Sequence, residues 1–171
     1  VNGYNEIGST SCRHRVLIEA RSPYFQLVEP GVRNVEDIEP WQGGLLKIRP
    51  GRIRCLTGSR VTDASVSVAS VSVEIFVESP EGALDDCDDV IEESYQSPRG
   101  HLSVVDCRNR LVHELPALPA GPASYRLRYH LRNQAPNRVG EYLLQIWAAE
   151  VAPSAALKIT SSLGNLWHSA A

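Results

Sequence analysis

Residues 65–78 read SVSVASVSVEIFVE. Serine and valine alternate, and a period of two is the signature of a strand whose successive side chains point to opposite faces. Val71, Val73, Ile75 and Val77 share one face. Val66 and Val68 have the opposite parity, so the alternation slips at Ala69-Ser70. A one-residue slip reverses the faces of a strand. A β-bulge absorbs it, as do two strands meeting there or a strand that begins after the slip. The preferred reading is a strand from about Val71, preceded by a looser edge segment.

The same period recurs on both sides of this stretch. Residues 124–132 (SYRLRYHLR) alternate cleanly: Tyr125, Leu127, Tyr129 and Leu131 form a predicted core face, and Arg126, Arg128, His130 and Arg132 a predicted polar face. Further strands are predicted over residues 13–20, 24–29, 44–49, 52–57, 90–96, 101–106, 110–115, 141–149 and 157–160. Pro50-Gly51 and Cys107-Arg108-Asn109 mark turns between neighbouring strands. No segment carries a long helical period. Residues 143–157 are the best helix candidate by composition, and Pro153 interrupts them. Many short strands with glycine and proline turns predict an all-β fold. An antiparallel β-sandwich in jelly-roll style is the favoured form, and a closed β-barrel is the alternative.

The chain has 171 residues, 43% hydrophobic and 22% charged, which fits one globular domain. That domain is predicted over 1–171, with 1–13 and 161–171 as loose termini. The net charge of −3 excludes the global basic field of nonspecific nucleic-acid binders, so no nucleic-acid partner is expected. Residues 1–13 lack the apolar core of a signal peptide, and no apolar run is long enough to span a membrane. No membrane association and, by default, a cytoplasmic location are the expectations. Cys12, Cys55, Cys87 and Cys107 show no CxxC spacing and read as free thiols of a reducing compartment rather than disulfides. The oligomeric state is not encoded in these features.

Candidate chemistry is sparse. There is no GxSxG elbow, P-loop or dinucleotide-binding glycine fingerprint. His14, His101, His113, His130 and His168 show no metal-ligand spacing. No catalytic residue, cofactor or metal is therefore expected. Asp85, Asp86, Asp88 and Asp89, followed by Glu92 and Glu93, form an acidic loop without the glycine and alternation of an EF-hand. It reads as a solvated loop, a contact that occupies a basic cleft on a partner, or a metal site. Arg126 and Arg128, with Arg132, read as a solvent-facing sheet surface, an anion site or a partner for the acidic loop. Trp147 is predicted in the core. Trp41 and Trp167 either cap the core or line a carbohydrate-binding surface.

Gly121-Pro122 followed by Tyr125-Arg126-Leu127-Arg128-Tyr129-His130 resembles a GPxxYRLRxH segment of small bacterial, mainly actinobacterial, proteins. The resemblance continues in residues 141–147 (EYLLQIW), in Leu157-Lys158 and in the acidic strand 89–94 (DVIEES), with Gly44-Leu45, Pro50-Gly51 and Thr57-Gly58 upstream. It implies a shared fold rather than an activity. A second, fainter resemblance is to the competence J protein family, β-sandwich inhibitors of a DNA-entry nuclease. It rests on Trp41 and Gly43 and on Leu118, Pro119, Gly121, Tyr125 and Leu127, and it carries over no inhibitory residue. The combined expectation is a non-catalytic protein-binding module of inhibitor or immunity type, with Asp85, Asp86, Asp88, Asp89, Arg126 and Arg128 as binding candidates. The alternatives are an enzyme whose site, drawn from His101, His113, His130 and the acidic loop, assembles only in three dimensions, and a small-ligand or carbohydrate binder using Trp41 or Trp167.

Overall fold

The computed structural model describes residues 11–19, 24–32, 44–57, 68–82, 84, 86–132 and 140–168. Within these lie strands β1 (Ser11–Glu19), β2 (Tyr24–Val28), β3 (Leu46–Arg49), β4 (Arg52–Leu56), β5 (Val68–Phe76), β6 (Asp89–Ser97), β7 (Ser103–Val105), β8 (Leu111–Glu114), β9 (Ala123–Arg132), β10 (Glu141–Ala148) and β11 (Ala155–Ile159). The helix α1 (Ser162–His168) follows. Residues 162–168, expected as part of a loose tail, are thus helical. Asp89 holds the entry to this helix: its Oδ1 accepts the backbone N–H of Thr160 at 2.9 Å and of Ser161 at 3.0 Å.

Two sheets form, in the orders β1-β5-β10-β9-β6-β11 and β3-β4-β2-β7-β8. Neither closes on itself among the described residues, so the fold is a sandwich and not a barrel. The expectation of purely antiparallel pairing needs one correction: β5 and β10 run parallel, from Glu141↔Ser70 to Trp147↔Phe76. A parallel pair cannot be joined by a tight hairpin, and here β6 to β9 intervene in sequence. The slip in the serine–valine stretch also resolves. β1 pairs with β5 without a break from Glu19↔Val68 to Ser11↔Phe76. Ala69 is buried with Val71, Val73 and Ile75, so among the described residues the inward parity runs unbroken from Ala69 and the pairing carries no bulge; Val66 lies outside the described residues.

The core lies between the sheets. Phe25, Leu27 and Ile53 from the smaller sheet meet Val71, Val73, Leu127, Leu131, Leu144 and Ile146 from the larger, all essentially inaccessible. Each such side chain contributes about 1.5–3 kcal/mol by leaving water. Tyrosines bridge the sheets with their hydroxyls. Tyr129 donates to the Leu56 carbonyl at 2.8 Å. Tyr95 donates to Oε1 of the buried Glu29 at 2.8 Å, and Ser97 donates to the same oxygen. Burial, and then the Glu29 carboxylate, push the Tyr95 phenol far above its ordinary range.

The Gly-Pro turn before β9 is closed by Tyr125, whose hydroxyl donates to the Gly121 carbonyl at 2.8 Å and accepts from the Ala120 N–H at 3.1 Å. Gly100 and Gly121 both have positive φ, +73° and +61°. A Cβ on Gly100 would stand 2.6 Å from the Gly121 backbone, whereas a Cβ on Gly121 meets nothing within 4 Å. Gly121→Ala should therefore cost about 1–2 kcal/mol, the left-handed penalty alone. Gly100→Ala should cost distinctly more, because backbone must also move. Urea midpoints of the two variants check the ordering.

A covered polar layer and an open trough on the larger sheet

The outer face of β9 is not a solvated surface. In register, Arg13 on β1 faces Glu74 on β5, Glu74 faces Gln145 on β10, Gln145 faces Arg128 on β9, and Arg128 faces Glu92 on β6. Five strands thus contribute one polar row. Glu92 accepts from Arg128 Nε at 2.7 Å through Oε1 and from Arg126 Nε at 3.1 Å through Oε2. Arg126 also donates to the carbonyls of Ala152 at 3.0 Å and Pro153 at 2.8 Å, and Arg128 to that of Pro80 at 3.3 Å. The chain after β10 and the chain after β5 therefore cover these two arginines. Only 7% of the Arg126 side chain and 11% of the Arg128 side chain remain exposed. Trp147 is buried as expected, but on this outer face rather than in the core: the Arg128 guanidinium lies 5.2 Å from its ring centroid.

A second line of contacts leaves the row at Gln145. Its Nε2 donates to Glu74 Oε2 at 2.9 Å, which leaves Oε1 to accept from His130 Nε2 at 3.1 Å. The hydrogen-bond directions thereby assign the His130 proton to Nε2 and make Nδ1 an acceptor. Nδ1 faces the Cys87 thiol at 3.5 Å, and the same sulfur receives Arg132 Nε at 3.3 Å. Burial, with help from Arg128 and Arg132, lowers the His130 pKa, while Gln145 and Glu74 oppose the shift. This thiol–imidazole–amide–carboxylate chain joins His130 to the acidic loop, two parts of the three-dimensional enzyme alternative. Sequence reasoning missed its link, Cys87, which sits between Asp86 and Asp88.

The acidic loop divides by role. Asp89 is fully buried at the entry to α1, Asp88 is half-buried, and Asp86 is exposed. Asp85 lies outside the described residues. Asp86 stands close enough to Arg132 to contribute to its raised pKa, of which the bond to Cys87 is the largest cause. Of the remaining candidates, Trp41 lies outside the described residues and Trp167 falls within α1. His101 is exposed. His113 Nε2 lies 3.2 Å from His14 Nδ1, where the edge strands β1 and β8 meet, and the Cys12 thiol lies 2.7 Å from His14 Nε2. The three candidate histidines His101, His113 and His130 thus have separate surroundings.

Beyond the covered layer the outer face opens into a trough of about 280 Å³. Its floor is Ser70, Ser72 and Leu143. Arg13 and Arg15 stand on one flank, Arg132 and Glu141 on the other. The trough exists because the outward residues of β5 are serines too small to fill the space. A second cleft of about 230 Å³ lies between β3 and β6, lined by Ile48, Pro50, Tyr95 and Val151 among others. Neither cleft is lined by a histidine.

These features define a two-sheet, all-β protein with a polar outer layer on its larger sheet. No family model matches the sequence, and no curated protein matches it. Two solved structures share the fold. One is ComJ, inhibitor of the DNA degrading activity of NucA, from Bacillus subtilis, with a TM-score of 0.52 and 11% identity over 84% of this chain and 100% of that chain. The other is described as crocagin biosynthetic gene J, with a TM-score of 0.53 and 12% identity over 82% and 99% of the two chains. At such identities the likeness is one of fold. No helix among the described residues is long and apolar enough to cross a membrane.

Glu92→Gln should remove the charge that two covered guanidiniums share. A cost on the order of 3–5 kcal/mol is expected, measured as a loss of urea midpoint. The histidines set a pH dependence. His14 has a lowered pKa through burial and then the neighbouring His113, and His130 is lowered as well. The folded state therefore takes up these protons less readily than the unfolded state. The associated stability is complete above about pH 6.5 and is lost as pH falls through the lower folded-state values. The urea midpoint should fall between pH 7 and pH 5, and His14→Gln or His130→Gln should each make that fall shallower.

Proposed function

We propose that this chain acts by binding another protein, as an inhibitor-type module without chemistry of its own. The observation that carries this reading is the likeness to ComJ, an inhibitor, which extends over 100% of that chain. The expected contact includes the acidic loop. Asp86 is exposed there, whereas Asp89 is buried in the entry to α1 and Arg126 and Arg128 are engaged with Glu92. The loop follows from carboxylate chemistry: fixed negative charge steers and orients a basic partner surface.

A second reading has one specific observation in its favour, the chain from Cys87 through His130 and Gln145 to Glu74. An imidazole placed on a thiol and oriented by an amide is an arrangement suited to nucleophilic chemistry. Cys87 is only 3% exposed, so this reading also requires the segment around residues 84–88 to shift.

The two readings part on one set of variants. The tagged chain is used to capture protein from the lysate of its own organism, and the captured protein is identified by mass spectrometry and assayed for inhibition. A stoichiometric partner, captured equally by Cys87→Ser and several-fold less by the Asp85→Asn/Asp86→Asn double variant, is the expected outcome. A partner held equally by the double variant removes the acidic loop from the interface. An activity of the isolated chain that disappears in Cys87→Ser overturns the non-catalytic reading.

A further inference from the structure

The trough on the larger sheet opens beside the covered layer and shares Arg13 with its polar row. Its flanks belong to β1 and β9, three strand spacings apart, or about 14 Å at roughly 4.8 Å per spacing. That width admits an extended peptide with its side chains. Arg13 and Arg15 rise from one flank and Arg132 from the other; Glu141 is the carboxylate of the lining, and Glu74 and Asp86 lie behind Arg13 and Arg132. The Arg13 side chain is 67% exposed although it is paired with Glu74. Arg15 is exposed, and its Nε donates to Ser70 Oγ at 2.9 Å, which holds the guanidinium over the serine floor. Leu17, two residues along β1 and opposite Ser70, is 62% exposed. A planar guanidinium offers paired N–H donors that match a carboxylate in a bidentate fork. The serine hydroxyls are small donors at the bottom, Leu143 supplies apolar contact in the floor, and Leu17 lies beyond the lining on the same face of β1.

We infer that this trough is a docking site for an extended acidic segment of a protein partner, with its Asp or Glu carboxylates held between Arg13/Arg15 and Arg132. The inference rests on the protein-binding reading and specifies the chemistry of one contact. Charge complementarity selects the occupant: arginine stands on both flanks. The trough's width across four strands and the apolar contact at Leu143 suit a chain rather than a lone anion. Arg132 joins this site to the acidic loop, since Asp86 acts on it electrostatically. A partner seated here meets positive charge in the trough and negative charge at its border, which fixes orientation as well as sign.

The test uses the full chain and a fluorescein-labelled hexaglutamate peptide, followed by anisotropy at low salt and at 0.5 M NaCl. Binding that weakens with salt is expected. Arg15→Ser should weaken it about threefold to fivefold, the scale of an exposed ion pair, and Arg15→Glu on the order of tenfold. Arg108→Ser, an exposed arginine in the β7–β8 turn of the other sheet, should leave it unchanged. Arg15 is exposed and these variants should fold, which an unchanged urea midpoint verifies. Absence of peptide binding, equal binding by the Arg15 variants, or tighter binding of a single-stranded oligonucleotide or of inorganic phosphate overturns the proposal. Capture from lysate separates the two levels. A stoichiometric partner held equally by Arg15→Glu and wild type overturns the trough and leaves the protein-binding reading intact. Wild-type chain that captures no protein overturns the reading itself.

Discussion

Glu92 divides its two carboxylate oxygens between Arg126 and Arg128, and the rest of the outer face is arranged around that shared charge. Two guanidiniums two residues apart on one strand face repel each other and would ordinarily hold their surface in water. One carboxylate directly across the ladder removes much of that penalty, and the residual N–H groups of the arginines become anchors for passing backbone. The carbonyls of Pro80, Ala152 and Pro153 fill that role. Irregular chain is thereby held flat on a sheet without strand pairing of its own. The charged pair thus acts as a fastener, and its location determines which part of the sheet is covered and which is left open.

The same logic extends inward along the row. A buried carboxylate needs donors, and Glu74 has Arg13 on one side and the Gln145 amide on the other. The amide then has an oxygen to satisfy, His130 satisfies it, and the imidazole's remaining nitrogen is left facing Cys87. Each group sets the hydrogen-bonding state of the next, so the thiol environment at Cys87 is a consequence of a charge three residues away in the network. The smaller sheet takes part in a similar way through Tyr95 and Tyr129, whose rings fill the core while their hydroxyls bind polar groups of the opposite sheet. Polar groups here do not interrupt the hydrophobic core; they tie its two walls and its outer covering together.

Strand positions were legible because period two is a local property. Residues 124–132 and 141–149 correspond closely to β9 and β10, and the tyrosine face of β9 is the core face as read. What local pattern does not encode is partnership between distant strands. The parallel pairing of β5 with β10 depends on two strands separated by four others, and no residue of either announces it. The covering of Arg126 and Arg128 was hidden for the same reason: residues 149–154 have no period, so nothing marked them as a lid. Trp147 shows the limit at one position. Its burial was readable from apolar neighbours, but its face was not, because Trp147 lies on the polar side of β10, covered by the Arg128 guanidinium of the neighbouring β9. The trough had a partial signal in the serines of β5, small residues on the outer face of a central strand, whose meaning depends on the arginines that the topology places on either side.

A net charge of −3 describes the chain as a whole and not any face of it. Several of the acidic side chains act within the structure on named donors, among them Glu29 on Tyr95 and Ser97, Glu74 on Arg13 and Gln145, Asp89 on the entry to α1, and Glu92 on two arginines. Charge spent in this way contributes little field at the surface, because each carboxylate is met at close range by donors or by opposite charge. The field that reaches solvent comes from groups left at the margins, such as Asp86 in the acidic loop and Arg15 above the serine floor. Sequence totals therefore exclude a global electrostatic mode of binding but leave open a local one. On the larger sheet the local arrangement is bipolar, with Arg132 at the junction of the acidic loop and the trough. A bipolar surface discriminates by orientation: a partner rotated out of register meets like charge at both ends, which is a stronger constraint on recognition than either patch imposes alone.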